Sequence, residues 1–320
     1  MLRLYPAGAT APIAAEPDPA LFRQAVWIDL QDPSEAEHAA TEGGLGIELP
    51  TRADMEEIEA TSRVYRDGDA TVITVTHLVG LDSPNPSLVP ISFVVTPTHL
   101  ITQRFADPRA FRAVEQGCVR DPIPDAPIAV LLRLLDAIVD RTADILELMA
   151  REIDTTSAHV FGRNMPAKRL SIGDLNAILQ EIGRLHFVTG KAHESLLTLA
   201  RAVSYLSLPG REPDTPREAT KALQRDIASL TETSNFNAAT VAFLMDATVG
   251  RISVEQNAII KIFSVAAVVF LPPTLVASIY GMNFEFMPEL GWRFGYPLAI
   301  LLMILSAVLP YLYFKRRGWL

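Results

Sequence analysis

Tyr280-Gly281-Met282-Asn283-Phe284-Glu285-Phe286-Met287-Pro288-Glu289-Leu290 lies between two long apolar segments near the end of the 320-residue sequence. Behind it, Ile259 to Ile279 is apolar apart from Lys261 at its start and a few small hydroxyls. As a helix this segment is about 31 Å long, the thickness of a bilayer's hydrocarbon core. Ahead of it, Phe294 to Phe314 is a second run of similar length. Two membrane-spanning helices joined by a short turn are expected. The second ends in Lys315-Arg316-Arg317, with Tyr311, Tyr313 and Trp319 as interfacial anchors, whereas the intervening loop sets Glu285 and Glu289 against Arg293. The excess of basic residues places the tail in the cytoplasm. Two spans return the preceding residues to the same side. Pro6, Pro12 and Pro17 interrupt any early apolar core of signal-peptide length, which agrees with that side. The expectation is a multi-pass protein of a bacterial-type inner membrane with both termini cytoplasmic.

Upstream of the spans, the pattern from Pro216 recurs at helical spacing through Leu223, Ile227, Leu230, Val241, Leu244, Val249, Ile252 and Ile259. So long a run with no strong breaker except Gly250 predicts one stalk helix over 216–280 that continues as the first span. Residues 127–208 read as a helical hairpin region, broken near Gly162 to Pro166, restarted at Ser171 to Asp174, and closed by the linker Leu208 to Pro216. Residues 1–126 read as a mixed α/β domain. Val26 to Leu30 is a buried-strand candidate, followed by a helix start at Asp32-Pro33-Ser34-Glu35, and Asp54 to Thr61 reads as a short acidic helix. Two strands flank the Asp67-Gly68 turn, and Ile91–Val95 and Leu100–Gln103 form another pair around Thr96-Pro97-Thr98. A largely antiparallel sheet with flanking helices follows. The loop spans 281–293, the second span 294–314 and the basic tail 315–320.

The formal charge of −9 argues against a nucleic-acid binder, which needs a basic stripe to neutralise phosphates. Cation partners suit it better. A single cysteine, Cys118, leaves neither an intrachain disulfide nor a cysteine zinc site. His186 and His193 are about 10 Å apart along one helix, too far to chelate one metal. Gly183 to Lys191 has the wrong spacing for a phosphate loop, so no nucleotide site and no cofactor are expected. Glu56, Glu57 and Glu59 have no accompanying base or nucleophile and read as a solvated acidic face, so the protein is not expected to be an enzyme.

Stepping back from Gly281 by threes and fours gives Ser278, Thr274, Leu271, Ala267, Ser264, Ile260 and Asn257. This face mixes small, hydroxyl, amide and apolar residues, and the rest of the helix is greasier. Two readings stand: a close-packing face between membrane helices, which periodicity alone favours, or one subunit's share of a pore. Pro272-Pro273 removes two backbone donors within the span. That break fits a simple kink as well as a kink beside a wet pore. Two spans cannot enclose a channel, so a pore requires a symmetric homo-oligomer. Each pore-facing residue then becomes a ring. A ring of Asn283 amides suits hydrogen bonding to a hydrated cation, and Glu285 and Glu289 would concentrate cations at the outer mouth.

The loop Tyr280 to Leu290 resembles the signature of the CorA family of magnesium and cobalt transporters. The similarity extends back through Glu255-Gln256-Asn257, Ile260 to Phe263 and Phe270 to Leu275, and forward through Phe294-Gly295-Tyr296-Pro297 to Tyr313-Phe314-Lys315 and Gly318-Trp319-Leu320. Asp54 to Glu59 and Phe105 to Pro108 are similar, more loosely, to the family's cytoplasmic domain. The resemblance implies a funnel-shaped homopentamer with an α/β cytoplasmic domain, a long helical stalk and two C-terminal transmembrane helices. It assigns Gly281, Met282 and Asn283 to a selectivity loop, and Asn257, Ile260, Ser264, Leu271 and Thr274 to the pore lining. It further implies magnesium held between cytoplasmic domains as a closing ligand, with Asp226 and Asp246 as candidate acids. Passive uptake of Mg2+ and Co2+ through a bilayer is the implied activity. A zinc, nickel or cobalt transporter on the same scaffold is the alternative, and a membrane-tethered sensor without transport is another.

Overall fold

The structure is a computed structural model that describes residues 1–14, 18–57, 63–83, 85–161, 171–208, 216–283 and 287–318. The chain divides into two compact units, Met1–Ala167 with Ile178–Met245, and Lys168–Ala177 with Asp246–Leu320.

The first unit holds a seven-stranded sheet. Its strands are β1 (Leu2–Pro6), β2 (Ile13–Ala14), β3 (Ala25–Gln31), β4 (Val64–Asp67), β5 (Ala70–Val79), β6 (Ser87–Val95) and β7 (Leu100–Arg104). They lie in the order β2-β1-β3-β7-β6-β5-β4. β3 and β7 run parallel, and the other neighbours are antiparallel. The hairpins flanking Asp67-Gly68 and Thr96-Pro97-Thr98 form as their turn residues predict, with Gly68 at a φ of 55°. The first strand is a new finding. Leu2 to Pro6 pairs with β3, and the Met1 amino group donates to the Gln31 carbonyl at 2.7 Å.

Helices α1 (Pro19–Phe22), α2 (Glu35–Leu45), α3 (Arg52–Glu56) and α4 (Arg109–Gly117) surround the sheet. Ser34 with Glu37, and Thr51 with Asp54, form reciprocal capping boxes that satisfy orphan donors at the starts of α2 and α3. The acidic helix expected to begin at Asp54 instead begins at Arg52, because Asp54 serves as the third-position acid of the Thr51 cap. It ends where Glu57 turns extended; residues 58–61 of the expected helix lie outside the described residues. On one face of the sheet Leu2, Leu4, Ile28, Leu30, Val72 and Ile101 pack with Phe22. Elsewhere in the core Tyr5 stacks on Trp27 at 4.1 Å, and Phe111 lies against Trp27 and Phe93 at 6.2 and 6.4 Å.

Two 35-residue helices follow, α5 (Pro127–Phe161) and α6 (Ile172–Leu206). Ser171 and Asp174 cap α6 reciprocally, where the sequence pattern restarts. The expected break at 162–166 and the linker core at 209–215 lie outside the described residues. α6 covers β5 beyond the start of β4. Thr76 donates its N–H to Thr198 Oγ1 at 3.0 Å, and Ser195 Oγ donates to the Thr76 carbonyl at 2.6 Å. Two side chains thus take up backbone groups that an uncovered strand edge would leave unpaired.

Helix α7 (Arg217–Tyr280) is 64 residues long and runs through Gly250, with Pro272 and Pro273 also inside it. Its residues from Asp246 onward belong to the second unit, which also holds a short 3-10 turn at Pro288–Gly291 and α8 (Gly295–Arg316). Both α7 and α8 are long and apolar enough to cross a membrane. Of the large apolar side chains in these spans most are exposed, whereas Val265 and Ala299 are 4% and 8% exposed.

Candidate functional site

At 3.6 residues per turn, Asn257, Ile260, Ser264, Leu271 and Thr274 fall within one stripe of α7 about 100° wide. All five are exposed in the single chain. The Thr274 hydroxyl donates to the Phe270 carbonyl at 2.7 Å, one turn back, close to where Pro272 and Pro273 have no N–H to give.

The helix ends where the signature begins. Gly281 N–H reaches the Ala277 carbonyl at 3.0 Å and Met282 N–H reaches Ile279 at 3.3 Å, which tightens the last turn. A Cβ on Gly281 would sit 3.1 Å from the Ala277 carbonyl oxygen, closer than side-chain carbons normally come to backbone. Glycine therefore leaves that close approach free of a side chain. Met282 and Asn283 follow, both exposed. The Asn283 amide is therefore presented directly after the stripe's end, one residue beyond the helix-closing bonds. Glu285 lies outside the described residues, and the side chain of Glu289 is likewise not described, although its backbone belongs to the 3-10 turn. Entry into α8 is set by the Gly295 N–H to Trp292 carbonyl bond of 2.8 Å and by an edge-on Trp292–Phe294 contact at 5.9 Å. At its other end, Arg317 lies over the Tyr313 ring at 5.6 Å.

Asp226 and Asp246 are exposed on α7, about 30 Å apart along its axis, so one chain cannot hold a single ion between them. Asp226 does have acidic company. Partial burial, then the charges of Asp140 and Asp226, hold the Asp136 carboxyl above the usual carboxylate range. The sequence reading passes over Asp136 and Asp140, although their spacing of four on α5 puts both on one helix face. Among the described residues no three His, Cys, Asp or Glu side chains converge as a metal-binding set within the chain.

A family model described as a CorA-like Mg2+ transporter protein matches residues 22–316. The chain is 37% identical over 306 residues to a protein of Haemophilus ducreyi named magnesium transport protein CorA, covering 95% of each. It is also 37% identical over 298 residues to the protein of the same name from Escherichia coli K12, covering 92% of each. Among solved structures it is similar to the complete CorA magnesium transporter of Methanocaldococcus jannaschii, with a TM-score of 0.77 and 20% identity over 100% of this chain and 99% of that one. That last likeness concerns the fold.

Proposed function

The chain belongs to the CorA-like Mg2+ transporter family, a family of transporters rather than enzymes, and from that premise we propose that it carries Mg2+ across a bacterial-type inner membrane through a pore built by five copies. The observation that carries this reading is the exposed α7 stripe of Asn257, Ile260, Ser264, Leu271 and Thr274, which leads to Gly281, Met282 and Asn283. An anchoring helix has no need of amide and hydroxyl groups along one apolar flank.

In a ring of copies each stripe residue becomes a circle of side chains. Asn283 amides hydrogen-bond the water that Mg2+ is slow to give up, so selection acts on a hydrated or partly hydrated ion. Ile260 and Leu271 form the apolar constrictions, where a narrow dry collar stops ions until it widens. Glu285 and Glu289 concentrate cations at the outer mouth. No nucleotide is consumed. An inside-negative potential favours entry of a doubly charged ion by roughly 4 to 5 kcal/mol per 100 mV. Co2+, also a small divalent ion with a firm hydration shell, shares the path. Both termini lie in the cytoplasm, where Asp226 and Asp246 serve as acids for a closing Mg2+ bound between copies.

Proteoliposomes with an imposed inside-negative potential test the reading. Wild type takes up Mg2+, and Asn283→Ala slows uptake by about tenfold or more, the cost of the amide hydrogen bonds lost around the ring. A silent wild type sinks the transport reading. Zn2+ that outcompetes Mg2+ in the same assay transfers the pore to the other ion.

A further inference from the structure

A second polar feature lies in the sheet-bearing unit, within residues that play no part in the stripe. A cavity of about 170 Å³ opens where β5 ends, at the start of α4 and beside α5. Arg109, Arg112 and Arg141 line it, with Asp82, Asp107 and His77.

Three features of this cavity point to a negatively charged occupant. The first turn of α4 carries Arg109 and Arg112 and no acid, and Pro108 gives no side-chain cap. Cations at that end oppose the helix dipole, which favours anions there. Secondly, the guanidiniums outnumber the carboxylates in the lining. Asp82 engages Arg109, while Asp107 is divided between Arg112 at 3.4 Å and the buried Arg104 at 3.2 Å. Among the described residues Arg141 pairs with Asp144, a mostly solvent-exposed carboxylate on its own helix, at 3.4 Å. Thirdly, His77 is 1% exposed and its Nδ1 has no hydrogen-bond partner among the described residues. A buried ring nitrogen left unpaired costs free energy that a ligand or a water can recover.

We propose that this cavity is a binding site for a phosphate-class oxyanion. Forked guanidiniums at the positive end of a helix dipole match the oxygens of a tetrahedral oxyanion. The volume is below that of a drug-sized pocket, so the site takes inorganic phosphate or the phosphate end of a small monoester, not a whole nucleotide. Burial, followed by the charge of Arg141, draws the His77 pKa down to about 4, so the ring enters the site neutral and able to donate one N–H. An occupant would tie the β5–β6 loop, α4 and α5 together at one point.

The test is isothermal titration of the full-length protein in detergent, in chelator-treated buffer, with inorganic phosphate and glycerol phosphate as separate arms and chloride as the competitor. Binding in either phosphate arm supports the site and identifies its source. Arg112→Gln and Arg109→Gln, both at exposed side chains that leave the core intact, are each expected to weaken it by about tenfold, and Arg120→Gln, outside the cavity, to leave it unchanged. No binding at millimolar phosphate, undiminished binding in both cavity variants, or chloride competing on equal terms overturns the proposal. None of these outcomes bears on Mg2+ uptake, which is read separately.

Discussion

Asp29 and Arg104 are fully buried and joined by two hydrogen bonds of 2.8 and 3.0 Å. Thr102 donates to the same carboxylate at 2.7 Å and accepts from the Trp27 indole at 2.9 Å, so the charges are paired and their remaining valences filled. Burial works against the Arg104 charge, yet the hydrogen bonds and charge of Asp29, with Asp107 and Glu115, hold its pKa above the ordinary value. Removing one partner strands the other. Arg104→Leu should cost about 3 to 5 kcal/mol, seen as a fall in the apparent melting temperature of the solubilised protein. A loss within the noise of surface variants would show the pair to be dispensable. His77 gives a pH signature at the same scale. Its pKa is depressed in the folded state, so unfolding takes up a proton as pH falls through the unfolded value. Stability is therefore full above about pH 6.5 and is lost progressively toward the folded value of about 4, by up to about 3 kcal/mol. Melting curves from pH 7 to pH 4 should show this loss in wild type and a flatter profile in His77→Gln.

Among the elements, β5 shows why a strand can be recognised and still be half understood. Its turn and its β-branched residues make it legible, but every residue from Ala70 to Leu78 is buried, so both faces and one edge are covered. The edge is covered by α6 through Thr198 and Ser195. Thr198→Val keeps the shape and deletes the acceptor of the Thr76 N–H, an expected loss of about 1 to 3 kcal/mol, whereas Thr198→Ser retains it. Equal melting temperatures for the two variants would refute the edge-capping role. Helix α7 is the contrasting case. Its length, its apolar second half and its glycine end were legible because they repeat every turn. The Asp136–Asp140–Asp226 neighbourhood was not, because it depends on how α5 and α7 pack.

For the molecule as a whole, one copy leaves the α7 stripe and most apolar side chains of both spans uncovered. Lipid can cover the apolar flanks, but the exposed Asn257 amide on the stripe calls for water or neighbouring copies. Native mass spectrometry of the detergent-released protein is expected to show five copies. A stable dimer or monomer active in Mg2+ uptake would break the ring reading.

Sequence alone determined the spans, the loop between them and the stripe behind Asn283. Hydropathy over about twenty residues and helical periodicity are local properties, written within a few turns of chain. The hairpins were local too, each set by its turn residues. Only the tertiary structure decided that Leu2–Pro6 is a strand, that β3 and β7 run parallel, that Asp29 finds Arg104 75 residues away, and that Thr76 finds Thr198 122 residues away. It also decided that three arginines and a buried histidine line one cavity. Such pairings have no period to read. They arise because burial makes an unpaired polar group costly, and which groups are buried is settled only when distant segments pack.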